Sequence, residues 1–509
     1  MSIFGKPLVC CLRHNSKRFI NMQRSLFGAI DAGTTSTRMI VFDDGGNMVC
    51  SSQHRIPLHS PFAGWAEQSP LEILDSVRNC MDECGKALDE MGLLKTVKAI
   101  GLAVHRESTV AVDADSGEPV SPIILWMDTR TKDLINSYQS MEPLIKQKTG
   151  LRLSTYFSAL KMRWLIENGG LKSNFRFSTV DSFLLEHLTG KYLTDVTNAS
   201  RTMLMNIRLA DYDEELLQEF EISRDQLPEI RPSISMLGSI RAGPFKGVPI
   251  TSVIGDQQAS MYGHKCLLKG SAKCTIGTGA FLLANMGNEM IDTAEFISTR
   301  TADGHFALEV PIAMAGSGIN WFQEQFNLPH EKWSSSEDVM FVPALTGLLS
   351  PFWAPAVKAS FHNISLSTTT ANMGAAVMES IAFSIAMCLK ILKDSHKVPV
   401  DCLKLDGGLS KNCKVVQTIA DCSGVEMWTS DLKECTAMGV AMGAAHAIGE
   451  SIDFDPTGVK IYTPERNDKL RAKYEKWLAL MKTIPTNMTP AENGKGPEAG
   501  EKVLSHHQG

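Results

Sequence analysis

The chain has 509 residues, of which 43% are hydrophobic and 21% are charged, and its formal net charge is −6. That length exceeds what one hydrophobic core usually organises, so at least two domains are expected. The composition is that of an ordinary globular protein, and the negative charge argues against a large surface for nucleic acid. No uncharged apolar run reaches the length of a membrane span, so no transmembrane segment is predicted.

The two ends of the chain differ from the rest. Residues 1–25 contain five basic residues and no acidic one, a composition that resembles a mitochondrial transit peptide. A disordered extension, or a true start at Met22, is the alternative. Residues 485–509 are polar and rich in Pro and Gly, and a disordered tail is expected there. We expect a cytoplasmic protein, or a mitochondrial one if residues 1–25 are a transit peptide.

The cysteines point to an intracellular compartment. All twelve are scattered, and none forms a Cys-x-x-Cys pair. Reduced thiols are therefore expected in preference to disulfides or a zinc site.

Residues 26–54 predict a hairpin that can bind phosphate. Three strands are predicted, at 26–32, 37–43 and 47–54. Between the first two, Gly33 lets the backbone approach a bulky anion, and the N–H groups and hydroxyls of the turn can hold phosphate. Asp31 ends the first strand, where it can bind Mg²⁺ directly or through water. A surface hairpin with a Gly/Thr-rich turn is the alternative, because short motifs often match by chance.

The remainder of the first half predicts an α/β domain that ends near residue 264. The predicted elements are a helix at 70–90, β-rich segments at 97–104 and 109–112, helices at 158–167 and 179–189, and a strand at 249–254. Arg106 and Glu107 fall at a turn between strands, where they either contact a polyol or form a surface ion pair. Asp256 follows the last strand, and it is either a general base or the N-cap of the next helix.

The second half partly repeats this pattern. A strand at 272–276, the turn Gly277-Thr278-Gly279 and a strand at 280–285 again form a Gly-Thr hairpin. We therefore predict an internal duplication over two domains, 26–264 and 265–484, with one phosphate-binding hairpin in each. Helices predicted at 371–393 and 435–449 flank a strand at 403–405, whose end at Asp406-Gly407-Gly408 suits a phosphate or an adenine. The apolar segments 375–392 and 437–448 are interrupted by polar residues and predict buried helices.

In their order along the chain, these motifs resemble the FGGY carbohydrate kinases from about Phe27 to Lys482. The similar stretches are Gly-Thr-Thr-Ser-Thr-Arg (33–38), Gly-Trp-Ala-Glu-Gln-Ser-Pro (64–70), Arg-Glu (106–107), Thr-Asn-Ala-Ser-Arg-Thr-Met-Leu (197–204), Gly-Asp-Gln-Gln (255–258), Gly-Thr-Gly (277–279), Pro-Ala-Leu-Thr-Gly through Pro-Phe-Trp (343–353), and Asp-Gly-Gly (406–408) with Asn412. The resemblance implies an α/β fold of two actin-like (ribonuclease H-like) domains, in the ATPase superfamily of actin, Hsp70 and sugar kinases, with a cleft between them.

The resemblance also implies roles for individual residues. Asp256 would be the base that deprotonates a glycerol hydroxyl, so that ATP yields sn-glycerol 3-phosphate, and Asp31 would organise Mg²⁺. The substrate would be bound by Arg106, Glu107, Trp126, Tyr156, Asp256, Gln257 and Phe281. The nucleotide would be bound by Thr34, Thr35, Ser36, Arg38, Thr278, Gly316, Asn320, Gly408 and Asn412. The expected assembly is a homo-oligomer, either a dimer or a tetramer.

Three positions depart from the family pattern. Val104-His105 stands where the family has Asn-Gln, Asn320 stands where it has Gln, and Val357-Lys358-Ala359 stands where it has Ala-Arg-Gly. We interpret His105 as a satisfied core histidine in preference to a neutral donor near the site. The fructose-bisphosphate loop of bacterial relatives has no recognisable counterpart near residues 241–247.

The sequence is also compatible with two functions other than phosphorylation of glycerol. One is an FGGY kinase for another small polyol or a pentulose. The other is a catalytically inactive regulatory protein of the same fold. Asp31, Arg106, Glu107 and Asp256 are all present, which argues against an inactive protein.

Overall fold

The computed structural model describes residues 25–484, apart from residues 172, 334 and 433. The extension at residues 1–24 and the tail at 485–509 lie outside the described residues, as does the targeting prediction that falls on them. The first half of the described chain forms a six-stranded and a four-stranded sheet, and the second half forms a seven-stranded sheet.

The described part of the first half contains fourteen strands and eight α-helices. The strands are β1 (Leu26–Ala32), β2 (Ser36–Asp43), β3 (Met48–Arg55), β4 (Glu67–Gln68), β5 (Val97–Val104), β6 (Thr109–Asp113), β7 (Ile123–Ile124), β8 (Phe175–Thr179), β9 (Leu193–Asp195), β10 (Met205–Asn206), β11 (Asp211–Tyr212), β12 (Glu229–Arg231), β13 (Ile234–Ser239) and β14 (Pro249–Gly255). The helices are α1 (Pro70–Glu90), α2 (Lys132–Tyr138), α3 (Glu142–Thr149), α4 (Ser158–Asn168), α5 (Val180–Thr189), α6 (Val196–Ala199), α7 (Glu214–Glu219) and α8 (Asp256–Gly263).

The second half contributes the remaining described elements. The strands are β15 (Ala272–Ile276), β16 (Ala280–Gly287), β17 (Ile297–Arg300), β18 (Phe306–Ile312), β19 (Met340–Val342), β20 (Ser360–His362), β21 (Cys402–Asp406), β22 (Glu426–Thr429) and β23 (Lys460–Tyr462). The helices are α9 (Gly316–Phe326), α10 (Thr370–Asp394), α11 (Cys413–Ser423), α12 (Cys435–His446) and α13 (Asp468–Lys482).

The six-stranded sheet has the order β13-β14-β5-β1-β2-β3. Strand β1 pairs antiparallel with β2 and parallel with β5, and β5 pairs parallel with β14. The register sets Ala32 beside Val104, and Val104 beside Gly255. The carboxyl ends of β1, β5 and β14 therefore meet at one edge of the sheet, the edge where α/β folds usually bind ligands.

The seven-stranded sheet repeats this arrangement. Its order is β17-β18-β16-β15-β21-β22-β23. Strand β15 pairs antiparallel with β16 and parallel with β21, and β21 pairs parallel with β22. The central hairpin β15–β16 thus corresponds to β1–β2, and the two parallel strands beside it correspond to β5 and β14. The internal duplication that the sequence predicted is visible in the topology of the two sheets.

Most predicted elements lie within two residues of their observed bounds, and the helix predicted at 435–449 ends instead at His446. Arg106 and Glu107 lie between β5 and β6, as the sequence predicted, and these two strands belong to different sheets. They lie where the chain crosses from the six-stranded sheet to the four-stranded sheet.

Helix α12 comes late in the chain but packs on the six-stranded sheet of the first half. Its small and apolar side chains share one buried cluster with β1 and β5: Phe27, Ala29, Ala99, Ala103, Ala437, Val440, Ala441 and Ala444. Glycine permits the contact with α8, because a Cβ at Gly439 would lie 1.9 Å from the carbonyl oxygen of Ala259. A Cβ at Gly263 would lie 2.1 Å from the carbonyl oxygen of Cys435. The backbones of α8 and α12 therefore touch, and the two halves share this core.

Helix α10 is long and apolar enough to cross a membrane by length and composition, but 78% of its most apolar window is buried inside the protein. It packs in the core of the second half, with Ile381, Ile385 and Leu389 fully or almost fully buried. This is the buried helix that residues 375–392 predicted. The ten cysteines in the described part of the chain are free thiols.

Candidate active site

The candidate site begins where β1, β5 and β14 end. Asp256 follows β14 directly and is the first residue of α8, whose N-cap is Gly255. The interpretation of Asp256 as an N-cap is therefore wrong. Its side chain is 29% exposed, so the carboxylate can reach a ligand in the cleft. Oδ1 accepts a hydrogen bond from the backbone N–H of Gln257 at 2.7 Å, which fixes the direction of the carboxylate.

Gln257 links Asp256 to the second sheet. Its Nε2 donates to Asp256 Oδ2 at 3.2 Å, and its Oε1 accepts from Lys273 Nζ at 2.7 Å. Lys273 is buried on β15. Gln257 thus lies within hydrogen-bonding distance of the predicted base, and it bridges the two halves of the chain.

Arg106 and Glu107 lie in a buried group of charges, because they are only 3% and 2% exposed. Arg106 donates from Nη1 and Nη2 to the two carboxylate oxygens of Glu309, at 2.7 and 2.9 Å. Arg201 donates from Nε to Glu107 Oε1 at 2.6 Å and from Nη2 to Glu309 Oε1 at 3.4 Å. The interpretation of Arg106 and Glu107 as a surface ion pair is therefore wrong.

The two buried glutamates differ in their pKa. Burial raises the pKa of Glu107 in spite of the two arginines. At Glu309 the charges of Arg106 and Arg201 outweigh burial and lower the pKa to about 2, so this carboxyl is ionised at neutral pH. Glu107 also has a φ of +65°, and a left-handed conformation costs a non-glycine residue on the order of 1–3 kcal/mol. Such strain persists where surrounding contacts hold a residue in a required position.

Aromatic side chains border the charged group. The rings of Trp126 and Tyr156 meet edge to face with centroids 5.6 Å apart. Trp126 Nε1 donates to Thr34 Oγ1 at 3.1 Å, so this wall is joined to the turn between β1 and β2. Burial and the charge of Glu107 raise the pKa of Tyr156, whose hydroxyl therefore stays protonated. Phe281 lies on β16, partly buried against a cluster that includes Met261 of α8.

One buried lysine holds the loop that carries Tyr156. Lys161 is fully buried, and its Nζ donates to the backbone carbonyls of Thr155, Tyr156 and Phe157 at 2.9, 2.5 and 3.3 Å. An ammonium group has three N–H donors, which matches these three acceptors. The position of Tyr156 therefore depends on Lys161.

Asp31 lies among other carboxylates and fits the role of a magnesium ligand. Burial raises its pKa to about 7, and the negative charges of Asp256 and Glu434 add to this effect while Arg38 opposes it. Arg38 is itself paired with Glu434, with 2.7 Å between Nη1 and Oε2. Carboxylates that lie together with too little positive charge are stabilised by a divalent cation, and carboxylate oxygens are the ligands that Mg²⁺ prefers.

A cavity of about 1050 Å³ lies in the second half, between the β15–β16 turn, α9 and the start of α11. Five of the predicted nucleotide-binding residues line it: Thr278, Gly316, Asn320, Gly408 and Asn412. The carbonyl of Thr278 accepts from the N–H groups of Ala315 and Ser317, which fixes the turn against the start of α9. A Cβ at Gly408 would meet no atom within 4 Å, so the backbone there is open to a ligand.

The other four predicted nucleotide-binding residues, Thr34, Thr35, Ser36 and Arg38, lie on the β1–β2 hairpin, outside that cavity. Through Thr34 they adjoin Trp126 and the substrate side of the site. Asp406 binds to α8, since its Oδ2 accepts from Ser260 Oγ at 2.8 Å and lies 3.0 Å from His264 Nε2. The predicted nucleotide set therefore divides into a hairpin side in the first half and a cavity side in the second.

Residues 26–263 match the N-terminal domain, and residues 272–448 the C-terminal domain, of the FGGY family of carbohydrate kinases. The chain belongs to this family. A glycerol kinase from Acidiphilium cryptum is 34% identical over 481 residues, which cover 88% of this chain and 96% of that protein. A probable glycerol kinase from Dictyostelium discoideum is 33% identical over 531 residues, with coverages of 90% and 98%.

Solved structures agree with this assignment. The crystal structure of Plasmodium falciparum glycerol kinase with ADP is 30% identical and covers 91% of this chain and 99% of its own, with a TM-score of 0.83. A gluconate kinase from Lactobacillus acidophilus is 22% identical, with coverages of 90% and 96% and a TM-score of 0.81, and it shows a common fold only. The predicted α/β fold of two actin-like domains with a cleft between them is confirmed.

The sequence did not predict the roles of Arg201 and Glu309 in this carbohydrate kinase. Arg201 belongs to the matched stretch 197–204, but no function was assigned to it. Glu309 is the only charged residue of the otherwise apolar strand β18. A single charge in a buried strand is a usable signal, because an unpaired buried charge is costly and therefore implies a partner.

The residues that depart from the family pattern lie in three different environments. His105 is buried, and its Nδ1 lies 2.9 Å from Ser108 Oγ. Its Nε2 has no partner in the described part of the chain, and burial lowers its pKa to about 4. His105 is therefore a buried histidine, as interpreted, but it is not a fully satisfied one, because only Nδ1 has a partner. Asn320 lines the cavity, and Lys358 is exposed.

Proposed function

We propose that this enzyme transfers the γ-phosphoryl group of ATP to glycerol and forms sn-glycerol 3-phosphate. One observation carries the proposal: the carboxylate of Asp256 lies 3.3 Å from Arg106 Nε at the edge of the sheet that bears the phosphate-binding hairpin. A general base is thus placed beside a cationic donor, within a site that polar and aromatic side chains surround. The relatives named glycerol kinase, at 33–34% identity over most of the chain, support the choice of substrate.

In the proposed reaction, Asp256 accepts the proton of the glycerol hydroxyl whose oxygen attacks the γ-phosphorus. Arg106 donates to a substrate hydroxyl, and Glu107 accepts from one. Tyr156 remains protonated and donates through its hydroxyl. Phosphoryl transfer relies mainly on positioning and on stabilising charge, so these contacts supply the alignment. Magnesium, when held by Asp31, supplies positive charge to the phosphate oxygens.

The aromatic wall favours a short substrate. The rings of Trp126 and Tyr156 meet edge to face with centroids 5.6 Å apart, a spacing at which a longer carbon chain does not pass between them. Trp126 is also held at its indole nitrogen by Thr34, which opposes its displacement. Phe281, on β16, would cover the carbon skeleton from the second sheet. A three-carbon polyol fits this arrangement better than a pentulose does.

The direct test is ADP release by the purified enzyme with Mg·ATP and glycerol, dihydroxyacetone, xylulose or no acceptor. We expect glycerol to give the highest kcat/KM and the reaction without acceptor to be slow, since closure over the substrate excludes water. A preference for xylulose would overturn the proposed substrate and leave the kinase class intact. Absence of turnover with every acceptor, in a protein shown to bind ATP, would favour an inactive regulatory protein.

We propose a cytoplasmic homo-oligomer, either a dimer or a tetramer, whose chain divides into two domains between residues 264 and 265. Light scattering on the purified protein measures its molar mass in solution, and the mass of a monomer would contradict the proposed homo-oligomer. Residues 1–25 fused to a fluorescent protein test the mitochondrial alternative, which a cytoplasmic signal would contradict.

Replacing Lys161 with methionine is expected to raise the KM for glycerol by about tenfold and to change the KM for ATP little. Methionine keeps most of the side-chain volume but leaves one buried and two partly buried carbonyls without their donor, so the loop that carries Tyr156 shifts. Steady-state kinetics with each substrate varied in turn measures the effect. A matched control is Lys397→Met, because Lys397 donates to the carbonyl of Asp394 on the surface. An unchanged KM for glycerol in Lys161→Met would contradict the dependence of Tyr156 on Lys161.

The kcat/KM for Mg·ATP is expected to rise as the pH increases through about 7, the raised pKa of Asp31. The ionised carboxylate is the form that binds Mg²⁺, and kcat/KM reports groups of the free enzyme. Asp31→Asn should lower kcat/KM for Mg·ATP and remove the inflection near pH 7 that Asp31 causes in its pH profile. The inflection caused by the titration of ATP itself should remain, and it serves as the control. An inflection that persists unchanged in Asp31→Asn would assign the pH dependence to another group.

The Asp31 carboxyl affects the free energy of unfolding in the opposite direction: its contribution falls as the pH rises, whereas kcat/KM increases. Because the pKa of Asp31 is raised in the folded protein from 3.8 to about 7, the folded state binds more protons between these two values. The contribution of this protonation to stability is fully present below pH 3.8 and is lost as the pH rises to about 7.

A further inference from the structure

One edge of the Arg106 guanidinium donates no hydrogen bond to any residue that the structure describes. An arginine has five N–H donors. Nη1 donates to Glu309 Oε2 at 2.7 Å and to Gln258 Oε1 at 3.1 Å, and Nη2 donates to Glu309 Oε1 at 2.9 Å. Nε is buried and has no hydrogen-bond partner among the residues that the structure describes. The N–H of Nε and the second hydrogen of Nη2 therefore form the edge that remains for a ligand.

This edge points at the reacting position. Arg106 Nε lies 3.3 Å from Asp256 Oδ1 and 3.8 Å from Glu107 Oε1, close to both carboxylates but hydrogen-bonded to neither. A ligand hydroxyl placed among these three groups would accept from Nε and donate to a carboxylate. A buried donor without a partner is costly, so a ligand that satisfies it gains affinity.

Glu309 determines which edge stays available. Its carboxylate binds the end of the guanidinium through two parallel hydrogen bonds, an arrangement that fixes the plane and the rotation of the group. Its side chain is fully buried on β18, in the sheet of the second half, whereas Arg106 belongs to the first half. Arg201 also reaches Glu309, at 3.4 Å, and holds Glu107 at 2.6 Å. One carboxylate thus organises both arginines of the pocket.

We infer that Glu309 is a positioning residue for the substrate: it acts through Arg106, whose Nε edge it directs at a glycerol hydroxyl. The inference rests on the proposed function. Under this inference, the affinity for glycerol depends on Glu309, a residue of the seven-stranded sheet. The cavity proposed to bind the nucleotide lies beside that sheet. The substrate pocket is therefore built by both halves of the chain and not by the first half alone.

The test is a set of variants read by steady-state kinetics. Glu309→Gln keeps the shape of the side chain but replaces one acceptor with an NH₂ group that faces the guanidinium. It is expected to raise the KM for glycerol by about tenfold or more and to change the KM for ATP by less than about twofold. Glu309→Asp keeps the charge and is expected to recover part of the affinity.

Action through Arg106 is tested by a double-mutant cycle. In the background of Arg106→Lys, which removes the two-pronged contact, Glu309→Gln is expected to raise the KM for glycerol by less than about twofold further. The matched control is Glu186→Gln, which removes a carboxylate from the partly buried Arg176 on β8. It is expected to leave both KM values unchanged, so it separates loss of an ion pair from loss of positioning.

Three results would overturn the inference: a wild-type KM for glycerol in Glu309→Gln, an equal rise in both KM values, or full additivity with Arg106→Lys. If Glu309→Gln does not fold, Glu309→Asp takes its place, both as a single variant and combined with Arg106→Lys. A wild-type KM for glycerol in Glu309→Asp would then overturn the inference. Failure of the wild-type enzyme to phosphorylate glycerol would instead overturn the proposed function, so the two failures are distinguishable.

Discussion

Asp256→Asn is expected to lower kcat for glycerol phosphorylation by about 10²–10⁴-fold, the range that a positioned general base usually contributes. Asparagine has the same shape and can keep the hydrogen bond from the N–H of Gln257 to Oδ1. It cannot accept the proton of the attacking hydroxyl, so the loss falls on the chemical step. ADP release gives kcat, and calorimetric titration with ATP gives the affinity for the nucleotide, which should be retained.

The control for this variant is a carboxylate that the structure places away from the cleft. Asp75, on the exposed side of α1, forms an ion pair with Arg78, with 3.7 Å between Oδ1 and Nη1. Asp75→Asn should therefore have the kcat of the wild type. Near-normal turnover in Asp256→Asn would remove Asp256 as the base. A parallel loss of ATP binding would mean that the substitution disturbs the cleft as a whole.

Gly439→Ala is expected to lower the melting temperature by about 5–10 °C, corresponding to roughly 3 kcal/mol of overpacking. The added Cβ would lie 1.9 Å from the carbonyl oxygen of Ala259, which belongs to the backbone of α8 and cannot rotate away. The helices must separate, and α8 begins with Asp256. Turnover should therefore fall at temperatures where the protein is still folded.

The same helix offers a matched substitution. A Cβ at Gly443 would lie 2.6 Å from Ser252 Oγ, the end of a side chain that can adopt another rotamer. Alanine is also favoured over glycine in a helix by about 1 kcal/mol. Gly443→Ala should therefore change the melting temperature by only a few degrees. Scanning calorimetry of both variants makes the comparison. Equal melting temperatures would show that the α8–α12 crossing yields easily to an added methyl group.

Local patterns predicted the elements of this protein well, because hydrophobic periodicity and turn residues act over a few positions. Helix α1 and strands β1, β5 and β15 have the bounds that the sequence predicted. The same patterns placed Asp31, Arg106 and Asp256 at strand ends, and the parallel pairing of β1, β5 and β14 brings those ends together. The edge of the sheet was thus predictable from short stretches of sequence.

Contacts between distant stretches were not predictable in this way. Arg106 and Glu309 are 203 positions apart, and Arg201 and Glu309 are 108 apart. Nothing local to Arg106 indicates which carboxylate will pair with it, so a surface ion pair was as reasonable as a buried one. Helix α12 poses the same difficulty. It is rich in alanine and glycine and lacks a distinct polar face, which predicts burial but not the sheet that buries it.

The crossing of α12 into the first half bears on how the chain is made. During synthesis the ribosome releases β1 and β5 some 330–410 residues before α12, as counted from Leu26 and Val104 to Cys435. Until then, the face of the six-stranded sheet that holds Phe27, Ala29 and Ala103 lacks the part of its cover that α12 supplies. The nascent first half therefore carries an exposed apolar face until α12 has been made, and its folding is completed only then.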